Sequence, residues 1–353
     1  MNLQTFYRVI NTFGIGIIFI LLCIFFSTQS PLFLTFQNFS NIAIQTSVLL
    51  IIATGMTFVI SAAEIDLSVG SLLALCGVIT ALVLKVDMET GLNLPMRYAQ
   101  TILGGMPDMF PGNISWWVIS ILIFLLFALL PGIIAGAVSG LIVVRFGVPS
   151  FIVTLGFMLI YRGLARYTTN AAQIFGMPPQ FGQIGSGIWF ELGAFRFSYS
   201  LAIALVVVFL GVLILSWTRF GRNVLAVGGN AQASYLSGVP VRRTRFLVFV
   251  ISGFCVAIAA IVLTSRLYIG DPNAGEGYEL DAIAAVIIGG TSLFGGSGTV
   301  IGTFFGALII GVLRNGLDLM GVTDHIKLIA IGSMIIFAVL LDYYRRRLTQ
   351  SES

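Results

Sequence analysis

Two acidic residues, Glu64 and Asp66, interrupt the apolar sequence GMTFVISAAEIDLSVGSLLAL and are the first candidates for chemistry. Ionisable groups at membrane depth are costly and are kept for function, so carboxylates placed this way are candidates for a proton relay or a translocation path. Asp66 also suits a plainer role: an aspartate ahead of L-S-V-G is placed to cap the next helix and satisfy its free amides. Glu64 is harder to dismiss; its plainer reading is a carboxylate that only reaches the membrane interface. A relay needs carboxylates deep in several spans, whereas these cluster at span heads.

Other chemistry finds little support. GGSGTVIG, residues 295–302, lacks the Lys-Ser/Thr pair of a phosphate-binding loop, and neither H-E-x-x-H nor G-x-S-x-G occurs, so no catalytic residue is assigned. Cys23, Cys76 and Cys255 lie in hydrophobic runs and form no C-x-x-C pair, which fits small buried side chains. His325 stands beside Asp324 with no second His or Cys near it in sequence, so no metal site and no cofactor is expected.

The elements that must position these residues are hydrophobic. Of 353 residues, 58% are hydrophobic and 9% charged, and the mean hydropathy is +1.04, values that indicate a polytopic membrane protein. Apolar runs near the roughly 20 residues of a span occur at 13–27, 41–62, 65–84, 116–143, 150–168, 198–217, 246–268, 281–294, 299–317 and 325–342. The first is read as a retained span, since QSPLF is not a small-residue cleavage site. The eighth is the weakest and is also open to a re-entrant reading. Forty glycines suit helices that approach closely, and Gly132, Gly136 and Gly140 are spaced for one packing face.

Between the sixth and seventh runs, Arg219, Arg222, Arg242, Arg243 and Arg245 stand in a segment without acidic residues. Such a segment cannot lie in lipid, where one arginine costs roughly 2.5–3.5 kcal/mol at the bilayer centre. Inside it a short helix is written with both ends: Asn230 as N-cap, AQASYLS as body, Gly238 just past the end and Pro240 beyond. If all ten runs cross and the N-terminus is cytoplasmic, this loop and the tail with Arg345, Arg346 and Arg347 are both inside. The formal charge of +4 therefore reports orientation and gives no reason to expect a nucleic-acid partner. The same topology leaves Lys85, Arg97, Arg162, Arg166, Arg196, Arg266, Arg314 and Lys327 in or near the outer half.

Two external segments follow by parity. Residues 85–115 are broken by glycine and proline and form no span. DPNAGEGYELD carries Asp271, Glu276, Glu279 and Asp281, read as a solvated acidic loop or an acidic face for an external partner. The triplets Glu64-Ile65-Asp66 and Glu279-Leu280-Asp281 each head an apolar run, with an odd number of crossings between them, a hint of inverted repeats. The division by sequence is 1–40, an N-terminal segment and first span; 41–217, a first membrane half with the insertion 85–115; 218–245, a cytoplasmic loop; and 246–353, a second half with a basic tail.

VISAAEIDLSVGS, RFGVPSFIVTLG, GRNVLAVGGNAQASYLSGV and GYELDAIAAVIIGGTSLFGGSGTVIGTFFGALIIGVLRNGL occur in order and together resemble the membrane-spanning permeases of ribose-type ABC sugar importers, a family with relatives for xylose, arabinose, galactose and autoinducer-2. The resemblance implies an all-α polytopic fold of about ten transmembrane helices, arranged as two inverted four-helix halves as in the vitamin B12-type importer. It implies a bacterial inner-membrane location and a second permease subunit, identical or paralogous. It further implies a periplasmic sugar-binding protein and cytoplasmic ABC ATPase subunits that fit a short coupling helix. The positions matching that helix and its approach are Arg222, Gly228, Gly229, Asn230, Ala231, Ala233, Ser234, Leu236 and Gly238. Glu64, Asp66, Phe157, Tyr268 and Asn315 are candidates for the translocation path. Two departures stand out: Ala63 and Glu64 replace the usual Gly-Gly, and 85–115 is longer than the family leads one to expect.

The leading expectation is the permease subunit of a sugar importer driven by separate ATPase subunits, and not an enzyme. The alternative is an ion-coupled secondary transporter of small polar solutes. The capped helix in a basic loop separates the two, since a secondary carrier has no evident need of it.

Overall fold

A computed structural model of the chain describes residues 3–85 and 114–350. The chain is mostly helical, as hydrocarbon requires of a backbone that must satisfy its own hydrogen bonds. The longer helices are α1 (Leu3–Gln29), α2 (Phe36–Ser61), α3 (Val69–Leu84), α4 (Ile114–Phe146) and α5 (Ser150–Thr169). After the short α6 (Gly182–Ser186) come strands β1 (Ile188–Leu192) and β2 (Phe195–Ser198). Then follow α7 (Tyr199–Val212), prolonged by a π turn to Trp217, α8 (Arg219–Gly229) and α9 (Ala231–Leu236). The chain continues with α10 (Val241–Leu267), α11 (Tyr278–Ile288), α12 (Val300–Leu319) and α13 (Asp324–Gln350).

Each of the ten apolar runs falls on one of these helices. Among the described residues, five segments are long and apolar enough to cross a membrane: Phe36–Ser61, Leu126–Phe146, Tyr199–Trp217, Val241–Leu267 and Val300–Leu319. The eighth run is helical only as far as Ile288, and α11, with 11 residues, is about 16 Å long. The hairpin β1–β2 is an addition to the all-α expectation; its two-residue link contains Gly193 at φ +61°, and Phe190 stacks on Phe197 with centroids 4.7 Å apart. Residues 86–113, nearly all of the expected external insertion, lie outside the described residues, as does Arg97.

The chain forms two compact units that interleave in sequence. The first unit comprises 1–65, 189–245 and 280–353, the second 66–188 and 246–279. Both E-x-D triplets stand where the chain passes from one unit to the other, at 65/66 and at 279/280.

The first unit is organised on α2, which is buried continuously from Thr46 to Ser61. A helix apolar on every side belongs inside a bundle, and its hydroxyls are satisfied by its own turns: Thr54 Oγ1 donates to Leu50 O at 2.8 Å and Thr57 Oγ1 to Ala53 O at 2.7 Å. Helix α12 runs antiparallel along α2. Thr57 Oγ1 and Thr303 Oγ1 are 2.8 Å apart, Gly311 packs on Thr46, and Asn38 Nδ2 donates to Asn315 Oδ1 at 2.9 Å. Gly211 of α7 lies against Thr54, and Gly316 of α12 lies against Phe26 of α1.

In the second unit the glycine face of α4 meets α10. A Cβ on Gly132 would strike Gly253 O, and one on Gly253 would strike Gly132 O, so each helix is bare where the other's carbonyl arrives. Leu130, Ile134, Val138 and Leu141 are exposed on the other side of α4, the surface expected toward lipid.

Most of the basic residues that the topology expected from the sequence leaves in the outer half have partners. Arg162 Nη1 donates to Pro272 O and Ala274 O, both at 2.9 Å, and Arg166 Nε donates to Asn273 Oδ1 at 3.0 Å, so the segment expected as a solvated acidic loop is tied down at its start. Arg196 pairs with Glu191 at 3.2 Å, Lys327 pairs with Asp318, and Arg314 pairs with Asp281, whose side chain is 4% exposed. Asp281 is thus buried and paired, not part of an acidic face.

Candidate functional site

The basic loop folds as its residues direct. The hydroxyl of Thr218 accepts from Gly221 N at 3.1 Å and starts α8. On that helix Val224, Val227 and Gly228 are buried while Arg219 and Arg222 are exposed. Asn230, with φ −158° and ψ 102°, ends α8 and caps α9: its Oδ1 accepts from Ala233 N at 2.9 Å. The far end closes as a Schellman motif, with Val239 N on Ser234 O and Gly238 N on Tyr235 O, both 3.0 Å, and Gly238 at φ +81°.

The result is a two-turn helix held at both ends. Ala231 begins it, Ser234 faces inward and is buried, and Ala233 is exposed. Tyr235 and Leu236 are 69% and 77% exposed. The short helix thus displays two large apolar side chains, and Arg222, Arg242 and Arg243 are exposed in the same loop.

The flanks of this helix converge on one short turn, Ser61–Glu64, at the end of α2. Gly228 packs so closely that a Cβ would collide with Ser61 O, and Gly296 N donates to Ser61 O at 3.1 Å. Gly229 lies beside Gly296, with a Cβ position 3.8 Å from its Cα. Arg245, at the start of the second turn of α10, places Nε 3.1 Å from Glu64 Oε1; the side chains are 35% and 7% exposed. Sequence reasoning singled out Glu64 but missed Arg245 and Ser61 as its neighbours. The visible signal was a buried carboxylate in need of a cation, with five arginines in one loop.

Ala63 holds φ +60°, a left-handed backbone that costs an alanine roughly 1 kcal/mol or more. Ala63→Gly is therefore expected to raise stability by about 0.5–1 kcal/mol, read as a higher melting temperature of the purified protein.

The translocation candidates do not form one cluster. Asn315, bonded to Asn38, and Glu64 stand near opposite ends of α2, whose 26 residues span about 39 Å. Asp66 is buried; its Oδ1 accepts from Ser68 N at 3.0 Å and Ser68 Oγ at 2.7 Å, and its Oδ2 from Ser252 Oγ at 3.1 Å. It thus shapes the approach to α3 without capping the amides of the first turn. Leu67 N donates to Thr154 Oγ1 at 3.1 Å, one helical turn from Phe157, which stacks on Tyr161 with centroids 5.1 Å apart. Tyr268, at φ +56° beyond the end of α10, donates its hydroxyl to Met177 O.

Among the described residues, no three His, Cys, Asp or Glu groups lie close enough together to hold a metal ion. A largely apolar helical chain with a displayed two-turn helix in a basic loop has the make-up of a membrane transport subunit. The family model for the permease component of branched-chain amino acid transport systems matches residues 38–339, and the chain belongs to that family of binding-protein-dependent ABC import permeases.

The chain is 40% identical over 329 residues to the ribose import permease protein of Haemophilus influenzae, covering 92% of this chain and 91% of that one. It is 38% identical over 323 residues to the ribose import permease protein of Escherichia coli K12, with 90% and 88% covered. It is also similar to the D-allose transport system permease protein of E. coli K12, at 34% over 341 residues, with 97% and 93% covered. No solved structure matches the chain at a significant level. Membership makes it a multi-pass bacterial inner-membrane transport component and not an enzyme.

Proposed function

We propose that the chain forms the translocation path of an ABC importer for a pentose or hexose, and that α9 is the coupling helix on which a cytoplasmic ATPase subunit docks. The observation that carries this reading is the exposed pair Tyr235 and Leu236 on a doubly capped helix, in a chain whose relatives are named as permeases for ribose, allose, arabinose and galactose. In this reading the ten apolar helices cross the membrane as two inverted four-helix halves with additional helices, and α7 runs from the outer face to the basic loop inside. A second permease, identical or paralogous, completes the path, and a periplasmic binding protein delivers the sugar. The repetition of the E-x-D triplet at two of the passages between the compact units, one outward at 65/66 and one returning at 279/280, supports the inverted halves.

The partner surface is small, so single substitutions matter. Losing a central apolar anchor costs an interface about 2 kcal/mol or more, roughly 30-fold in affinity. Leu236→Asp is expected to leave the permease in the membrane, lose the co-purifying ATPase and abolish ATP-driven uptake of labelled ribose, allose, arabinose and galactose by proteoliposomes. Uptake by the permease alone under an ion gradient would instead establish the secondary-transporter reading.

A further inference from the structure

The helix assigned to coupling can act on the membrane only through what holds it, and its two flanks are held by the same four residues. Upstream, Gly228 lies on Ser61 with no room for a Cβ. Downstream, Arg245 reaches Glu64 at 3.1 Å. The Gly295–Gly296 turn fills the remaining side, with a Cβ position on Gly295 only 2.6 Å from the Ala63 Cβ. These residues belong to one compact unit, and Ser61 is the last residue of α2, the helix packed against α7 and α12. Glu64 and Arg245 also stand beside the positions, 65/66 and 245/246, where the chain passes into the other unit.

We propose that Glu64 is a positioning residue: its carboxylate clamps Arg245, closing the loop that carries α9 onto the end of α2, so that displacement of α9 moves α2 and does not dissipate in the loop. The clamp rests on the coupling role given to α9 above. Two features favour the assignment. The carboxylate is buried and so needs its cation, and the arginine leaves the aqueous loop for it although the exposed Arg242 and Arg243 show that the segment is otherwise solvated. One half of the loop is attached by shape at Gly228 and the other by charge at Arg245. Only the second attachment can be removed by an isosteric change.

The test uses the purified permease in nanodiscs with Cys23→Ala, Cys76→Ala, Cys255→Ala and Ala233→Cys, the last carrying a nitroxide label. Glu64→Gln is expected to raise the mobile component of the label spectrum at least about two-fold, Arg245→Gln to do the same, and the double variant to add nothing further. In the complex assembled with ATPase and binding protein, Glu64→Gln should keep the ATPase bound but cut sugar moved per ATP hydrolysed by about five-fold or more. The ratio is read on complex re-isolated by size exclusion with its ATPase bound, so unfolded permease and released ATPase do not enter it. An unchanged spectrum in Glu64→Gln, or losses that multiply in the double variant, overturns the clamp while leaving the docking of the ATPase in place. Retention of the ATPase by Leu236→Asp overturns the docking reading, and the label mobility still reports the clamp.

Discussion

Arg314→Met is expected to destabilise the protein by about 3 kcal/mol, because it removes the cation paired with the buried Asp281 carboxylate. The pair joins the first turn of α11 to α12. The Asp281 side chain is 4% exposed while that of Arg314 is 37% exposed, so the cost falls mainly on the carboxylate, which stays buried without its cation. The companion variant makes the argument specific. Asp281→Asn with Arg314→Met removes both charges and should recover most of the loss. Melting of the detergent-solubilised protein checks both, with a fall of several degrees for the single variant and near-normal melting for the double. Equal losses in the two would show that the arginine acts through packing of its aliphatic stem.

Gly136→Val is expected to prevent the close packing of α4 on α10 and cost about 3 kcal/mol or more. A Cβ at Gly136 would run into Phe249 O, with Phe249 C at 2.9 Å and Val250 Cα at 3.1 Å, all backbone atoms that cannot rotate away. The helices would have to separate, exposing the glycine face that permits their contact. Gly156→Ala is the control: this α5 glycine has nothing within 4 Å of its Cβ position and should be neutral or stabilised by up to about 1 kcal/mol. Recovery of folded protein by size-exclusion chromatography separates the two outcomes. Normal recovery of the valine variant would sink the account of the glycine face.

Some of the site was legible in the residues themselves. Asn230, Gly238 and Pro240 specify the two-turn helix because an amide acceptor, a left-handed position and a helix breaker each act within a few residues. Glu64 was conspicuous as a carboxylate in apolar sequence, and Ala63 marked a place where the family usually has glycine; its φ of +60° is the backbone setting that glycine favours. Asp66 was legible only in part. Its position suggested a cap for α3, but its partners are Ser68 and, 186 residues away, Ser252.

The sequence by itself determined that the chain lives in a membrane, where its helices run, which loop is too basic to enter lipid, and that this loop carries a capped helix. These are local or compositional properties, set by hydropathy over about 20 residues and by hydrogen bonds within a turn. The tertiary structure alone decided which charges neutralise one another and what holds the helix in place. Arg245 with Glu64, Arg314 with Asp281, and Arg162 with the 272–274 carbonyls are contacts between distant parts of the chain. No periodicity encodes them. They also account for several basic residues that the charge rule alone left misplaced, since a paired or hydrogen-bonded arginine no longer behaves as the free charge that rule counts. The hairpin at 188–198 and the interleaving of the two units are decided in the same way, by which surfaces meet once the helices have formed.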